Sequence, residues 1–172
     1  MSHVIDHPQT PSQKETVRLV TFAIASYRLG LPLDSVLRVV NAPDELRSQT
    51  SEILELLPLG HHTISVLNLR SQLSLAQGQT VQRTAAEGDF LVVAKVGEEL
   101  CAIRVDAPPD IIAVAAATIR QLPAPYRQGH PLSIASQVVV LPQGKATLAI
   151  FLLEMKRVLA MLGSANYSIS DR

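Results

Sequence analysis

The stretch FLVVAKVGEELCAIRV, residues 90–105, indicates the class of fold that this chain adopts. Two runs rich in Val, Leu and Ile flank Gly97, Glu98 and Glu99, an arrangement typical of a β-hairpin with a short loop. Similar runs recur on both sides of it, separated by Gly, Pro and Asn. About nine or ten short strands, spaced roughly every 8–12 residues, favour barrels or a sandwich over a parallel βαβ sheet. Outside the hairpin, the predicted strands cover residues 17–24, 27–33, 52–57, 62–67, 110–114, 134–141 and 146–153.

Short helices are predicted between some of these strands. Residues 34–40 (DSVLRVV) begin with Asp34, a residue type that caps helix N-termini. Residues 68–75 (NLRSQLSL) place two leucines four residues apart behind Asn68, a second capping residue type. The sequence therefore predicts one helix on each side of the strand pair 52–57 and 62–67.

The clearest helical pattern closes the chain. Residues 154–162 carry apolar side chains at helical spacing, and Gly163 stands where a left-handed C-cap is needed. Residues 1–14 are polar and contain prolines, so they are predicted to form a flexible leader. We expect one folded domain over residues 15–163 and a flexible tail over residues 164–172.

Composition excludes several functional classes. Fifteen basic residues balance fifteen acidic ones, so the chain lacks the excess of Lys and Arg that binding nucleic acid or an anionic membrane requires. The single cysteine, Cys101, has no intramolecular disulfide partner, which favours a reducing compartment. Residues 1–16 lack the apolar core of a signal peptide, and the longest apolar-and-Thr stretch, residues 111–119, is far shorter than the roughly 20 residues of a membrane-spanning helix. These features predict a cytoplasmic protein.

No catalytic motif is present. The sequence has no Gly-rich phosphate loop, nucleophile elbow, HExxH or CxxC. His61 and His62 are adjacent, so on a strand they would face opposite sides, and surface histidines in a turn are favoured over a metal or proton-transfer role. Cys101 lies in an apolar strand and is predicted to be a buried, unreactive thiol. Asp106 and Asp110 flank two prolines and are expected to accept turn hydrogen bonds. The sequence thus predicts a protein that is not an enzyme and needs no cofactor.

Four segments in order resemble the CheW-like domain family, along about residues 15–162. Each motif is mostly an apolar pattern, and the specificity comes from their order and spacing. The segments are VRLVTFAIASYRLGLPLDSVLRVV (17–40), LGHHTISVLNLRSQL (59–73), FLVVAKVGEELCAIRVDAPPDIIAV (90–114) and VVVLPQGKATLAIFLLEMKRVL (138–159).

The chain departs from the family pattern at four positions. Arg38 stands where the family has glutamate, and Leu59 stands where it has the arginine that precedes Gly60. Ser65 takes the position of a common proline, and Asn68 that of an aspartate. The resemblance therefore implies a divergent member, with changed charges where such proteins meet their partners.

The resemblance implies a mainly β fold of two intertwined, five-stranded SH3-like barrels with short helices and a C-terminal helix. Members of the family lack catalysis. We expect the chain to be a monomer outside a signalling array. Family members bind the cytoplasmic tip of a methyl-accepting chemoreceptor in the groove between the barrels. A barrel end binds the regulatory domain of a CheA-type histidine kinase. The chain would then be an adaptor in chemotaxis, phototaxis or pilus-driven motility.

The resemblance also suggests which residues contact partners. Gly60 would permit a tight turn, and Leu59 would offer an apolar contact in place of the family's guanidinium. A purely structural role fits Val36 and Gly60 equally well, and Leu59 also fits a core position. The predicted partner-binding residues are Val36 and Arg38 on the first short helix, with Leu59, Gly60, His61 and Thr63 around the turn.

A second hypothesis belongs to another class, a β-barrel that binds a small molecule or second messenger. It requires a pocket in which Arg and Asp side chains converge. The sequence offers Arg18, Arg28, Arg104 and Arg120, scattered without a cluster motif, so the adaptor hypothesis is favoured.

Overall fold

The computed structural model describes residues 15–47, 54–75, 90–126 and 130–167. The predicted leader 1–14, residues 48–53, 76–89 and 127–129, and residues 168–172 of the predicted tail lie outside these ranges. The strands are β1 (Thr16–Ile24), β2 (Tyr27–Pro32), β3 (Val36–Asn41), β4 (Leu54–Leu59), β5 (His62–Leu67), β6 (Phe90–Val96), β7 (Glu99–Val105), β8 (Asp110–Ala115), β9 (Ile119–Gln121), β10 (Ala135–Gln143) and β11 (Ala146–Leu153). The α-helices are α1 (Asp44–Arg47), α2 (Arg70–Leu75) and α3 (Met155–Tyr167).

The strands form two sheets. Sheet 1 has the order β8-β1-β2-β11-β10-β9, and sheet 2 the order β3-β6-β7-β5-β4. In each sheet one parallel pair, β2·β11 or β5·β7, stands between antiparallel hairpins. The two sheets therefore share a four-strand plan, in which β1-β2-β11-β10 corresponds to β6-β7-β5-β4.

Sheet 1 closes on itself through its two edge strands. β8 pairs with β1 at one edge and β9 with β10 at the other, and only the short 3-10 helix Ala116–Thr118 separates β8 from β9. The two strands thus act as one interrupted strand that spans the gap between the edges. Counted this way, the six strands of sheet 1 correspond to the five-stranded barrel that the resemblance implied. The prediction of two curled, intertwined β-units is confirmed.

The chain interleaves the two sheets. It builds β1 and β2 in sheet 1, then all of sheet 2, and returns to sheet 1 for β8 to β11. A central core of aliphatic side chains lies between the sheets, and each sheet also encloses a smaller core of its own. Fully buried members of the central core include Phe22, Ile24, Leu31, Leu67, Leu73 and Ile103.

The first predicted helix is wrong. Residues Leu33–Ser35 form one 3-10 turn, in which Asp34 lies inside the turn and Pro32 is the N-cap, and the chain then continues as β3. β3 is rich in valine, which favours strands, and its pairing with β6 decides the outcome. By contrast, Asn68 does hold the start of α2, because its Oδ1 accepts the N–H of Arg70 at 3.2 Å.

Other predictions are correct in place and shifted in extent. α3 continues through Gly163 to Tyr167, so Gly163 is not its C-cap and residues 164–167 of the predicted tail are helical. Of the strand expected at 52–57, residues 54–57 belong to β4 and residues 52 and 53 lie outside the described ranges; β4 continues to Leu59, and the turn after it is formed by Gly60 and His61. β9 was not predicted.

Candidate functional site

The first group of predicted site residues lies on strand β3, the edge of sheet 2 next to β6. Val36 and Arg38 are therefore strand residues, not helix residues. A β-bulge between them inserts Leu37, so that Val36 pairs with Ala94 and Arg38 with Val93. Val36 packs against the central core, whereas Arg38 is exposed.

β3 also exposes apolar side chains that the sequence interpretation missed. Leu37 is 55% and Val39 42% exposed, on either side of exposed Arg38. Val39 pairs with Val92, a member of the central core, so β3 borders the junction between the two sheets. Such exposure on an edge strand marks a candidate contact surface, because edge strands of soluble proteins are usually kept short or charged.

The second group of predicted residues surrounds the β4–β5 turn. Gly60 and His61 form a two-residue hairpin loop between the paired residues Leu59 and His62. Gly60 has φ +64°, a left-handed conformation that glycine adopts at little cost, and its surroundings are open. The predicted role of Gly60 in a tight turn is therefore consistent with its backbone conformation.

The side chains around this turn differ in burial. His61 and Thr63 are exposed, which suits a contact surface. Leu59 is half-buried and packs against the inner core of sheet 2, so it serves the core as well as the surface. On the same strand, Leu56 is 69% exposed, an apolar residue that the sequence interpretation also missed.

A polar depression of about 410 Å³ adjoins this turn. The β6–β7 turn forms its other wall, because the parallel pairing of β5 with β7 brings the two hairpin ends side by side. Two glutamates on that wall give this end of sheet 2 an acidic character. The depression is lined by His62, Thr63, Ser65, Glu98, Glu99 and Leu100.

The structure does not bring the two groups of predicted residues together. Val36 and Arg38 lie on β3, and the turn residues lie on β4 and β5 at the other edge of sheet 2, with β6 and β7 between them. Two separate candidate surfaces result. We call them the β3 edge (Val36, Leu37, Arg38 and Val39) and the turn surface (Leu59, Gly60, His61 and Thr63).

Cys101 lies in β7 and is buried, as its sequence context predicted. Burial, together with the smaller effect of the nearby carboxylate of Glu99, raises the pKa of its thiol from 9.0 to about 11. A thiol with so high a pKa holds little nucleophilic thiolate at neutral pH.

The four arginines of the small-molecule hypothesis do not converge. Arg18, Arg28 and Arg120 lie on β1, β2 and β9, with different strand neighbours. Arg104 is buried in sheet 2, where its Nη1 donates to the backbone oxygen of Leu46 at 2.7 Å. Within the described residues no three or more His, Cys, Asp or Glu side chains are placed to hold a metal ion. In the same part of the chain, no helix combines the length and apolarity needed to cross a membrane.

Comparison with known proteins adds two findings. A family model described as CheW-like domain matches residues 18–162. Among solved structures, the chain is similar to the scaffolding protein TtCheW from Thermoanaerobacter tengcongensis, with a TM-score of 0.60 and 16% sequence identity over 90% of this chain and 91% of that one. No curated protein sequence gives a significant match. At this identity the structural likeness concerns the fold, and the family assignment rests on the match to residues 18–162.

Proposed function

Because the chain belongs to the CheW-like domain family, we propose that it is a non-catalytic adaptor that couples a methyl-accepting chemoreceptor to a CheA-type histidine kinase. The adaptor would act in the cytoplasm, where both the receptor tip and the kinase reside. The output would be chemotaxis, phototaxis or pilus-driven motility. The family match across nearly the whole described chain carries the proposal.

The physical character of the β3 edge supports a protein partner. Leu37 and Val39 present apolar area to solvent, and Arg38, which lies between them in the sequence, is also exposed. Protein interfaces are enriched in apolar side chains and arginine at their centre, and a few such residues carry most of the binding energy. Since β3 also borders the junction between the sheets, we assign the receptor tip to the β3 edge.

The turn surface suits a second partner. It lies at a barrel end, away from β3, and offers exposed His61 and Thr63 beside the acidic β6–β7 turn. We assign the kinase regulatory domain to this surface. Separate surfaces allow one adaptor to hold both partners at once, as coupling requires.

Binding of purified partners tests the proposal. The chain is mixed with the cytoplasmic receptor fragment and the kinase regulatory domain from the same cell, and association is measured by titration calorimetry and co-purification. We expect binding to each partner at micromolar concentrations. If neither partner binds at these concentrations, the adaptor function is rejected.

Matched substitutions test the two surfaces separately. Val39→Asp should weaken receptor binding more than tenfold, since loss of a central interface residue costs about 2 kcal/mol or more. Its control is Val140→Asp, at an equally apolar position that is 48% exposed on β10 of sheet 1. Thr63→Arg should weaken kinase binding to a similar extent, and its control is Thr147→Arg, at an exposed threonine of β11. If a control variant weakens binding as much as the test variant with which it is matched, the surface that carries the test variant is wrongly assigned.

A further inference from the structure

Three segments of the chain meet around the carboxylate of Asp106. Its Oδ2 accepts the backbone N–H of Ala25 at 2.8 Å, and Nη1 of Arg70 lies 2.6 Å from the same oxygen. The backbone N–H of Asp106 donates to the oxygen of Ala23 at 3.0 Å. One aspartate thus contacts Ala23 and Ala25 at the β1–β2 turn and Arg70 on α2.

The three segments belong to different parts of the fold. The β1–β2 turn is part of sheet 1, and α2 follows β5 of sheet 2. Asp106 itself lies on the crossover in which the chain leaves β7 of sheet 2 for β8 of sheet 1. Its contacts therefore tie the two sheets together at the crossover.

The environment of the contact makes it directional and strong. The side chains of Arg70 and Asp106 are 16% and 14% exposed, so solvent screens their charges little. Ala25 has φ 54°, a left-handed conformation unfavourable for a residue with a Cβ, and the hydrogen bond that its N–H donates to Asp106 holds the turn in place. The surrounding central core, in contrast, consists largely of aliphatic side chains, whose attraction has no preferred direction.

We propose that Arg70 and Asp106 fix the orientation of sheet 1 relative to sheet 2. The aliphatic core drives the sheets together, and the contacts of Asp106 with Ala25 and Arg70 select one arrangement among those that the core permits. Both residues are positioning residues. The proposal is independent of which partners the protein binds.

A distance measurement between the sheets tests this role. Spin labels are attached at Lys145→Cys, in the exposed β10–β11 turn of sheet 1, and at Glu98→Cys, in the exposed β6–β7 turn of sheet 2. Cys101→Ala removes the native thiol from this background. Pulsed electron resonance then gives the distribution of distances between the labels with native Asp106, with Asp106→Ala and with Arg70→Met. The matched control is Asp110→Ala, which removes an exposed carboxylate at the other end of the same crossover.

We expect Asp106→Ala and Arg70→Met to broaden or shift the distance distribution, and Asp110→Ala to leave it unchanged. Amide exchange at Ala25 should accelerate several-fold in Asp106→Ala and less in Arg70→Met, which keeps the carboxylate. If both variants lose stability while the distribution keeps its native position and width, the contacts serve stability alone and the proposal is wrong. If Asp106→Ala does not fold, Asp106→Asn replaces it, and if Arg70→Met does not fold, Arg70→Lys replaces it. These substitutions keep the side-chain volume and alter the ion pair, and the distance distribution is interpreted in the same way.

Discussion

Substitution of Gly30 by alanine tests how tightly β2 packs against β11. Gly30 is buried in β2, where it pairs with Thr21 of β1 and with Leu152 of β11. A Cβ at this position would lie 3.1 Å from Cδ2 of Leu152 and 3.2 Å from Cγ2 of Ile150. Both distances are shorter than an ordinary van der Waals contact between carbons, so a neighbour must move.

The expected cost follows from the burial of those neighbours. Ile150 and Leu152 are 1% and 4% exposed, so they have little room to move, and overpacking of this kind costs about 1–3 kcal/mol. Gly30 does not have a positive φ, so alanine fits its backbone and gains about 0.4–1 kcal/mol by restricting the unfolded chain. We therefore expect Gly30→Ala to lower the free energy of unfolding by about 1–2 kcal/mol.

Urea denaturation followed by circular dichroism measures this change. A second variant, Leu152→Val, removes the Cδ2 atom that the new Cβ would meet, so the double variant should be more stable than the sum of the two single effects predicts. Gly97→Ala is the control, because nothing lies within 4 Å of its Cβ and its cost comes from φ +61°. That cost should not depend on Leu152. If Gly30→Ala is neutral or stabilising, or if its effect is simply additive with Leu152→Val, the packing argument fails.

Three further substitutions test other parts of the structure. Between pH 9 and 11 the native Cys101 thiol keeps its proton while the unfolded thiol loses it, so the free energy of unfolding should fall as the pH rises. Urea titrations across this window should show a fall of about 2–3 kcal/mol relative to Cys101→Ala. Parallel pH profiles for the two proteins would contradict the raised pKa. Phe22→Ala empties a fully buried site in the central core and should cost about 3–5 kcal/mol of unfolding free energy, with Phe22→Leu costing less, and a loss below 1 kcal/mol would show that the sheets are loosely packed there. Asn68→Ala removes the acceptor for the N–H of Arg70 and should lower the free energy of unfolding by about 1 kcal/mol, measured by thermal unfolding. Asn68→Asp keeps an acceptor oxygen, so it should retain most of that stability in the same measurement.

The sequence predicted most strands because their apolar patterns are local. The hairpin at Phe90–Val96 and Glu99–Val105 was visible from its two valine-rich and leucine-rich runs alone. β9 has only three residues, and only its pairing with β10 makes it a strand. β3 follows an aspartate that resembles a helix cap, and its strand conformation depends on β6, whose paired residues lie 49 to 58 positions later in the chain. Local pattern cannot supply such long-range pairings.

The candidate site was predicted less completely than the fold. The turn at Gly60 could be recognised because glycine and short hairpins have local signatures. The exposure of Leu37, Val39 and Leu56 could not, because an apolar residue on a strand is expected to be buried until its place at a sheet edge is known. The separation of the β3 edge from the turn surface likewise follows from strand order, which sequence spacing does not reveal.

The interleaved path of the chain also sets an order of events during synthesis. All five strands of sheet 2 lie within one continuous segment, so they can pair as soon as β7 has left the ribosome. β2 ends at Pro32, but its parallel partner β11 begins only at Ala146, after all the strands of sheet 2. The β1–β2 hairpin must therefore remain without this partner until β11 has been synthesised, exposing apolar surface in the nascent protein. Sheet 2 is the first surface against which that hairpin can pack. The barrel of sheet 2, which can fold first, therefore covers apolar side chains of sheet 1 before sheet 1 closes.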